Sequence, residues 1–148
     1  MKLTESEIKK LKKYNYTSIY QDKYETWWNR KEYWRDIQIH QKLSSKFIEE
    51  FAEYLDFELI SCTQILSEEI METYYEYLNW HDICMKQDLQ ETFIIRYKDL
   101  VDWDMISYYQ NLSRSFLLKY RWKLNWCNVF RNEKISDNIK TSLIDSMN

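Results

Sequence analysis

His40 and His81 are the only side chains in this sequence whose ordinary pKa lies near neutrality. His81, Asp82 and Cys84 fall within one helical turn, a spacing at which an imidazole and a thiolate can share a metal ion. A zinc site takes four ligands, three of them from protein even when it is catalytic. Cys62 and Cys127 stand at other phases of the sequence, so nothing completes a tetrahedron. A Cys–His nucleophile meets the same obstacle, with no third residue to orient the base and no oxyanion loop. Paired carboxylates are numerous among the 24 Asp and Glu residues, but they fall on the outward faces of the helices read below rather than in a cleft. The expectation is a protein that is no enzyme, with no catalytic residue, cofactor or metal site, Cys84 in the core and His81 on the surface.

The loops that carry such chemistry in other proteins are absent too. The 148 residues include no glycine and no proline, and Ala52 is the single alanine. A Walker phosphate loop, a dinucleotide fingerprint, a nucleophile elbow and an EF-hand loop each need a backbone at positive φ or one closely approached by a ligand. Tight hairpins need Asn-Gly or Gly-X turns. An aromatic content of 18% excludes a disordered chain. No apolar run nears the roughly 18 residues of a membrane span, and Met1–Glu7 shows no secretory h-region. Three cysteines without framework spacing suit a reducing, cytoplasmic compartment.

What positions these side chains is a repeat. Trp34, Phe57, Trp80, Trp103 and Trp126 are spaced by 23 residues. In the same register run Ile37, Ile60, Ile83, Ile106 and Val129, then Gln41, Gln64, Gln87 and Gln110 followed by Glu133. Leu43, Leu66, Leu89, Leu112 and Ile135 come next, with Ser44, Ser67, Ser113 and Ser136 behind them and Gln90 as the exception. Phe47, Ile70, Phe93, Phe116 and Ile139 follow, then Phe51, Tyr74, Tyr97 and Tyr120, with Leu143 in the last place. A degenerate earlier copy holds Leu11, Tyr14, Tyr20, Tyr24 and Trp28. The reading is one domain over 1–148: a helical leader at 1–10 and six units at 11–33, 34–56, 57–79, 80–102, 103–125 and 126–148.

Each unit reads as two helices. Asp56, Asn79, Asp102 and Asn125 precede the aromatic, where a side-chain oxygen caps free N–H groups. The serines open a second helix whose apolar residues, such as Phe47, Ile48, Phe51, Tyr54 and Leu55, keep a 3.6-residue period. Thr4 and Glu7 form a capping box in the leader. The recurring Gln falls where the first helix ends, so a buried amide is expected to satisfy helix-end groups in place of a glycine cap. The alternative is a row of amides that read a ligand. The predicted fold is all-α, an α-solenoid of six helix-turn-helix repeats, since one unit cannot bury its apolar face alone.

The motif aromatic-x-x-Ile-Ser-x-x-Gln-x-Leu-Ser-x-x-Phe, best preserved from Trp103 to Phe116, resembles a short repeat in proteins of bacteriophages and giant DNA viruses. The similarity covers roughly 34–139, with Phe57 for Trp, Gln90 for Ser and Glu133 for Gln as departures. It implies a viral source and carries no catalytic residues. Small viral proteins often antagonise host defence, which implies an anti-CRISPR-like inhibitor acting in the host cytoplasm.

Charge is segregated. Residues 1–46 carry a net +5, 47–105 a net −12 and 106–148 a net +4, which together give −3. Glu49, Glu50, Glu53, Glu68, Glu69, Glu72 and Glu76 fall between apolar positions of two successive second helices and form the candidate partner-binding surface. Further along, the same face turns basic at Arg96, Lys119 and Arg121. An acidic surface attracts basic clefts, including those that hold nucleic acid. The expected partner is therefore a host protein with a basic surface, bound without membrane or cofactor. The alternatives are a nucleic-acid-binding repeat that uses the basic ends, with Lys9, Lys10, Lys12 and Lys13 beside Tyr14, Tyr16 and Tyr20, and a self-associating structural protein.

Overall fold

The computed structural model describes residues 4–14 and 30–147, with side chains for 4–14 and 31–145. Tyr16, Tyr20, Tyr24 and Trp28, and most of the expected 11–33 unit, lie outside the described residues. The described residues form eleven α-helices and no strand. These are α1 (Glu5–Lys12), α2 (Arg30–His40), α3 (Ser45–Glu50), α4 (Phe57–Thr63), α5 (Glu68–Thr73), α6 (Trp80–Lys86), α7 (Glu91–Arg96), α8 (Trp103–Tyr109), α9 (Arg114–Lys119), α10 (Trp126–Arg131) and α11 (Asp137–Met147). The chain divides into two compact units, Met1–Tyr77 and Leu78–Asn148, close to the 79/80 repeat boundary.

The helices begin where capping chemistry starts them. Side-chain oxygens of Asp56, Asn79, Asp102 and Asn125 accept N–H groups in the first turns of α4, α6, α8 and α10. Ser44, Ser67 and Ser113 do the same for α3, α5 and α9. Each such cap contributes about 1 kcal/mol. Thr4 and Glu7 form the expected box, and α1 runs past the leader boundary to Lys12. Gln90 precedes α7 without a side-chain cap bond, because its amide is poorly suited to folding back on its own turn.

The second helices are shorter than their periodicity predicts. Helix α3 stops at Glu50 and a 3-10 turn follows at Ala52–Tyr54, so the apolar series through Leu55 is not one helix. The same break recurs at Tyr74, Tyr97 and Tyr120, whose φ/ψ values sit near −113°/20°, −105°/26° and −107°/22°. Each accepts a tight i→i+3 bond, from Tyr77, Leu100 and Lys123 respectively. Ring packing fixes the break: Phe57 meets Tyr74 at 4.3 Å, Trp80 meets Tyr97 at 5.0 Å and Trp103 meets Tyr120 at 5.9 Å between centroids. At the equivalent place the last repeat has Leu143, and there α11 continues unbroken to Met147.

Within each unit, like stacks on like. In the first unit α2 packs on α4 and α3 on α5; in the second, α6 packs on α8, α8 on α10 and α9 on α11. The isoleucine column, Ile37, Ile60, Ile83 and Ile106 with Val129, is fully buried, and each of these side chains stabilises its unit by about 1.5–3 kcal/mol. Helix α1 joins the first unit through Leu11, fully buried, and Tyr14, whose ring meets Phe47 edge-on at 5.0 Å.

The stack is riveted by amides. Gln64 donates through Nε2 to the carbonyls of Gln38 and Gln41, at 2.7 and 2.9 Å, and accepts the Leu43 N–H at 2.9 Å. Gln110 repeats this on Cys84, Gln87 and Leu89. The buried amide does satisfy helix-end groups, but those of the repeat before it. The series does not pass to Glu133, which is exposed. Helix α10 is one residue shorter than α8, and Asn132 supplies the amide, donating to Ser107 and Gln110 carbonyls at 3.0 and 2.8 Å. A carboxylate offers only acceptors and cannot meet two carbonyl oxygens.

Candidate functional site

The acidic surface belongs to α3, α5 and the turns after them, all in the first unit. Glu49 and Glu72 hold equivalent repeat positions, as do Glu53 and Glu76, so the packing of α3 on α5 sets acidic side chains in neighbouring rows. The two helix starts are joined by Ser45 and Ser67 hydroxyls 3.3 Å apart. Glu49, Glu53, Glu68, Glu69 and Glu76 are exposed, and Glu72 is half-buried. Glu68 and Glu69 also lie in the first turn of α5, where the helix dipole favours negative charge. The Tyr75 hydroxyl donates to Glu76 at 2.9 Å.

Glu50 is engaged inside the first unit. Its carboxylate accepts from the Tyr14 hydroxyl at 2.8 Å and from Lys13 Nζ at 3.2 Å, tying the end of α1 to α3. These two hydrogen bonds, Tyr14 first, hold the Glu50 carboxyl below the usual glutamate range. Burial and the same bond push the Tyr14 hydroxyl up, and the Glu50 bond raises Lys13. The charge is spent inside the unit, and the Tyr14 ring, packed on Phe47 and Phe51, is not presented for stacking on a base. Lys10 lies over the Phe51 ring at 6.0 Å.

His81 and Cys84 both turn toward Asp102 in the next repeat. His81 Nδ1 lies 2.8 Å from Asp102 Oδ2, and the Asp102 N–H donates to Cys84 Sγ at 3.4 Å. Burial pushes the Asp102 carboxyl up, but the His81 bond and the Met105 and Asp104 N–H groups outweigh it and hold the carboxyl low. Cys84 is fully buried, and burial pushes its thiol up to about 12, so it stays protonated and unreactive at neutral pH. Among the described residues no three His, Cys, Asp or Glu side chains converge as a metal site.

This arrangement reveals a second column that the sequence reading passed over. Gln38 Oε1, Cys84 Sγ and Ser107 Oγ accept the N–H of the capping residue 18 positions on: Asp56 at 2.6 Å, Asp102 at 3.4 Å and Asn125 at 3.0 Å. The signal was the unbroken run of hydrogen-bonding side chains at one repeat position, Gln38, Ser61, Cys84 and Ser107. A neighbouring column pairs His81 with Asp102 and Asp104 with Asn125, the latter at 2.8 Å.

In the second unit the corresponding outer turns are basic. Arg96, Lys119 and Arg121 are exposed as expected, joined by Lys98, Trp122 and Lys123. Lys119 lies 5.4 Å from the Tyr120 ring centre, Arg121 5.4 Å from that of Trp122 and Lys123 5.3 Å from that of Trp103. A cleft of about 900 Å³ on the same unit is lined by Gln90, Glu91, Asn111 and Ser113, with Lys134 bridged to Asp88.

No helix among the described residues is long and apolar enough to cross a membrane. No protein-family model, curated protein or solved structure matches the chain.

Proposed function

We propose that the chain is an α-solenoid of 23-residue repeats that acts by binding, presenting the acidic face of its first unit to a basic surface on a partner protein. The observation that carries this reading is the pairing of rows across α3 and α5, Glu49 with Glu72 and Glu53 with Glu76, flanked by exposed Glu68 and Glu69. An oppositely charged surface on a partner would complement this acidic face. Glu50 stands outside the binding set because α1 already occupies it.

The resemblance of Trp103–Phe116 to viral repeats supports a particular form of the proposal. The partner is then a host defence protein, and the acidic face occupies its nucleic-acid cleft in the manner of an anti-CRISPR inhibitor. The test is affinity capture from cell lysate with the native chain and with a Glu49→Lys, Glu53→Lys, Glu69→Lys, Glu76→Lys variant. The expected result is loss of the captured protein with helicity unchanged by circular dichroism, and release of bound oligonucleotide from that protein by the native chain alone. Equal capture by both chains overturns the proposal.

A further inference from the structure

The turns of the second unit carry a surface of the opposite kind. No Asp or Glu occurs from residue 105 to residue 132, while Arg114, Lys119, Arg121, Lys123 and Arg131 all fall in that stretch. The nearest preceding acid, Asp104, accepts from the Asn125 amide at 2.8 Å. At the repeat position held by Glu53, Glu76 and Asp99 in three earlier units stands Trp122, 72% exposed.

A large aromatic ring in water is costly, and the turn that presents it is firmly held. Trp126 Nε1 donates to the Arg121 carbonyl at 3.1 Å, and the Lys123 N–H closes on the Tyr120 carbonyl at 2.9 Å. Lys123 is drawn over Trp103 and Lys119 over Tyr120, itself stacked on Trp103. Arg121 covers one face of the Trp122 ring and leaves most of the ring surface in solvent. The result is a pre-organised turn that carries an exposed indole with Arg121 over its ring, and Lys119 and Lys123 held over the Tyr120 and Trp103 rings.

We infer that this turn is a contact site for single-stranded nucleic acid, with Lys119, Arg121 and Lys123 meeting phosphates and Trp122 stacking on a base. Charge complementarity and the stackable ring together select this occupant. An anionic membrane would need several aliphatic side chains beside the cations, and Trp122 is the one large exposed apolar side chain on this turn. The overall −3 charge arises from residues 47–105, net −12, whereas 106–148 carry a net +4. The inference stands independently of the acidic face in the first unit.

The test is fluorescence anisotropy of the full chain with labelled oligothymidylate and oligouridylate of about 16 nucleotides. Three phosphate contacts predict about a 20-fold loss of affinity between about 50 and about 200 mM salt. Trp122→Ala is expected to weaken binding about tenfold, while Trp122→Phe stays within about threefold. Arg121→Glu with Lys123→Glu abolishes it. All these positions are exposed, and circular dichroism checks that each variant folds. Absence of binding at the lower salt overturns the inference. So does unchanged affinity in the variants, or binding to phosphatidylserine vesicles in place of the oligonucleotides.

Discussion

The side-chain amide of Gln110 donates to the main-chain carbonyl of Gln87, 23 residues earlier, at 2.8 Å. The same amide reaches the Cys84 carbonyl at 2.7 Å and accepts the Leu89 N–H at 2.9 Å. One buried side chain thus closes the end of the preceding helix and fixes the distance between repeats.

Gln110→Ala is accordingly expected to be among the most damaging substitutions in the second unit. It strands two carbonyls and one N–H, each at a cost of about 1–3 kcal/mol if water does not enter. A loss of at least about 3 kcal/mol in urea unfolding is expected, with Gln110→Glu no better because it replaces a donor by an acceptor. A loss under about 1 kcal/mol would show that water fills the place at little cost.

Gln90→Ser should stabilise the protein. Ser44, Ser67 and Ser113 cap their helices at this position, and Gln90 makes no side-chain cap bond. A gain of about 0.5–1 kcal/mol is expected, seen as a higher urea midpoint with an unchanged slope. Lower stability would mean that the glutamine has another task there.

The Glu50 clamp gives a pH dependence of known sign. Its carboxyl is held below the ordinary value in the folded chain, through Tyr14 and then Lys13. Its contribution is therefore complete above the unfolded glutamate pKa of about 4.3 and is lost as pH falls through the lower folded value. Glu50→Gln should lower stability at pH 7 and have little further effect near pH 2, with Tyr14→Phe showing a smaller change of the same kind. A pH-independent difference between native chain and Glu50→Gln would refute the clamp.

The three thiols should separate by reactivity. Cys62 and Cys127 are exposed, while Cys84 is buried with its pKa pushed up to about 12. A chromogenic disulfide reagent should titrate two thiols in the native chain and the third only on unfolding. Cys84→Ser should fold, since serine fills the equivalent Ser61 and Ser107 positions. Cys84→Ala leaves the Asp102 N–H without its acceptor and should cost about 1–3 kcal/mol. Fast labelling of all three thiols would contradict the buried placement.

Most of the helical layout was legible because the information is local. Asp56, Asn79, Asp102, Asn125 and the serines mark helix starts through bonds that span two or three residues. The ends were harder. Phe51, Tyr74, Tyr97 and Tyr120 sit in good helical phase, and only their packing on the aromatic that opens the unit shows why the helix stops there. The acidic face was legible as a face, but the engagement of Glu50 by Lys13 and Tyr14 depends on α1 folding back across more than thirty residues. The shift from Glu133 to Asn132 was hidden because a fixed count of 23 conceals a helix that ends one residue early.

The helix caps carry a last consequence. Every cap described, at either end, has negative φ, from −120° to −60°. At these caps, side-chain amides, hydroxyls and aromatic rings do what a left-handed glycine does at the end of other helices. The capping backbone thus places no veto on any residue with a Cβ. A gene under strong nucleotide bias could lose every glycine and proline codon without meeting a cap that demanded one back.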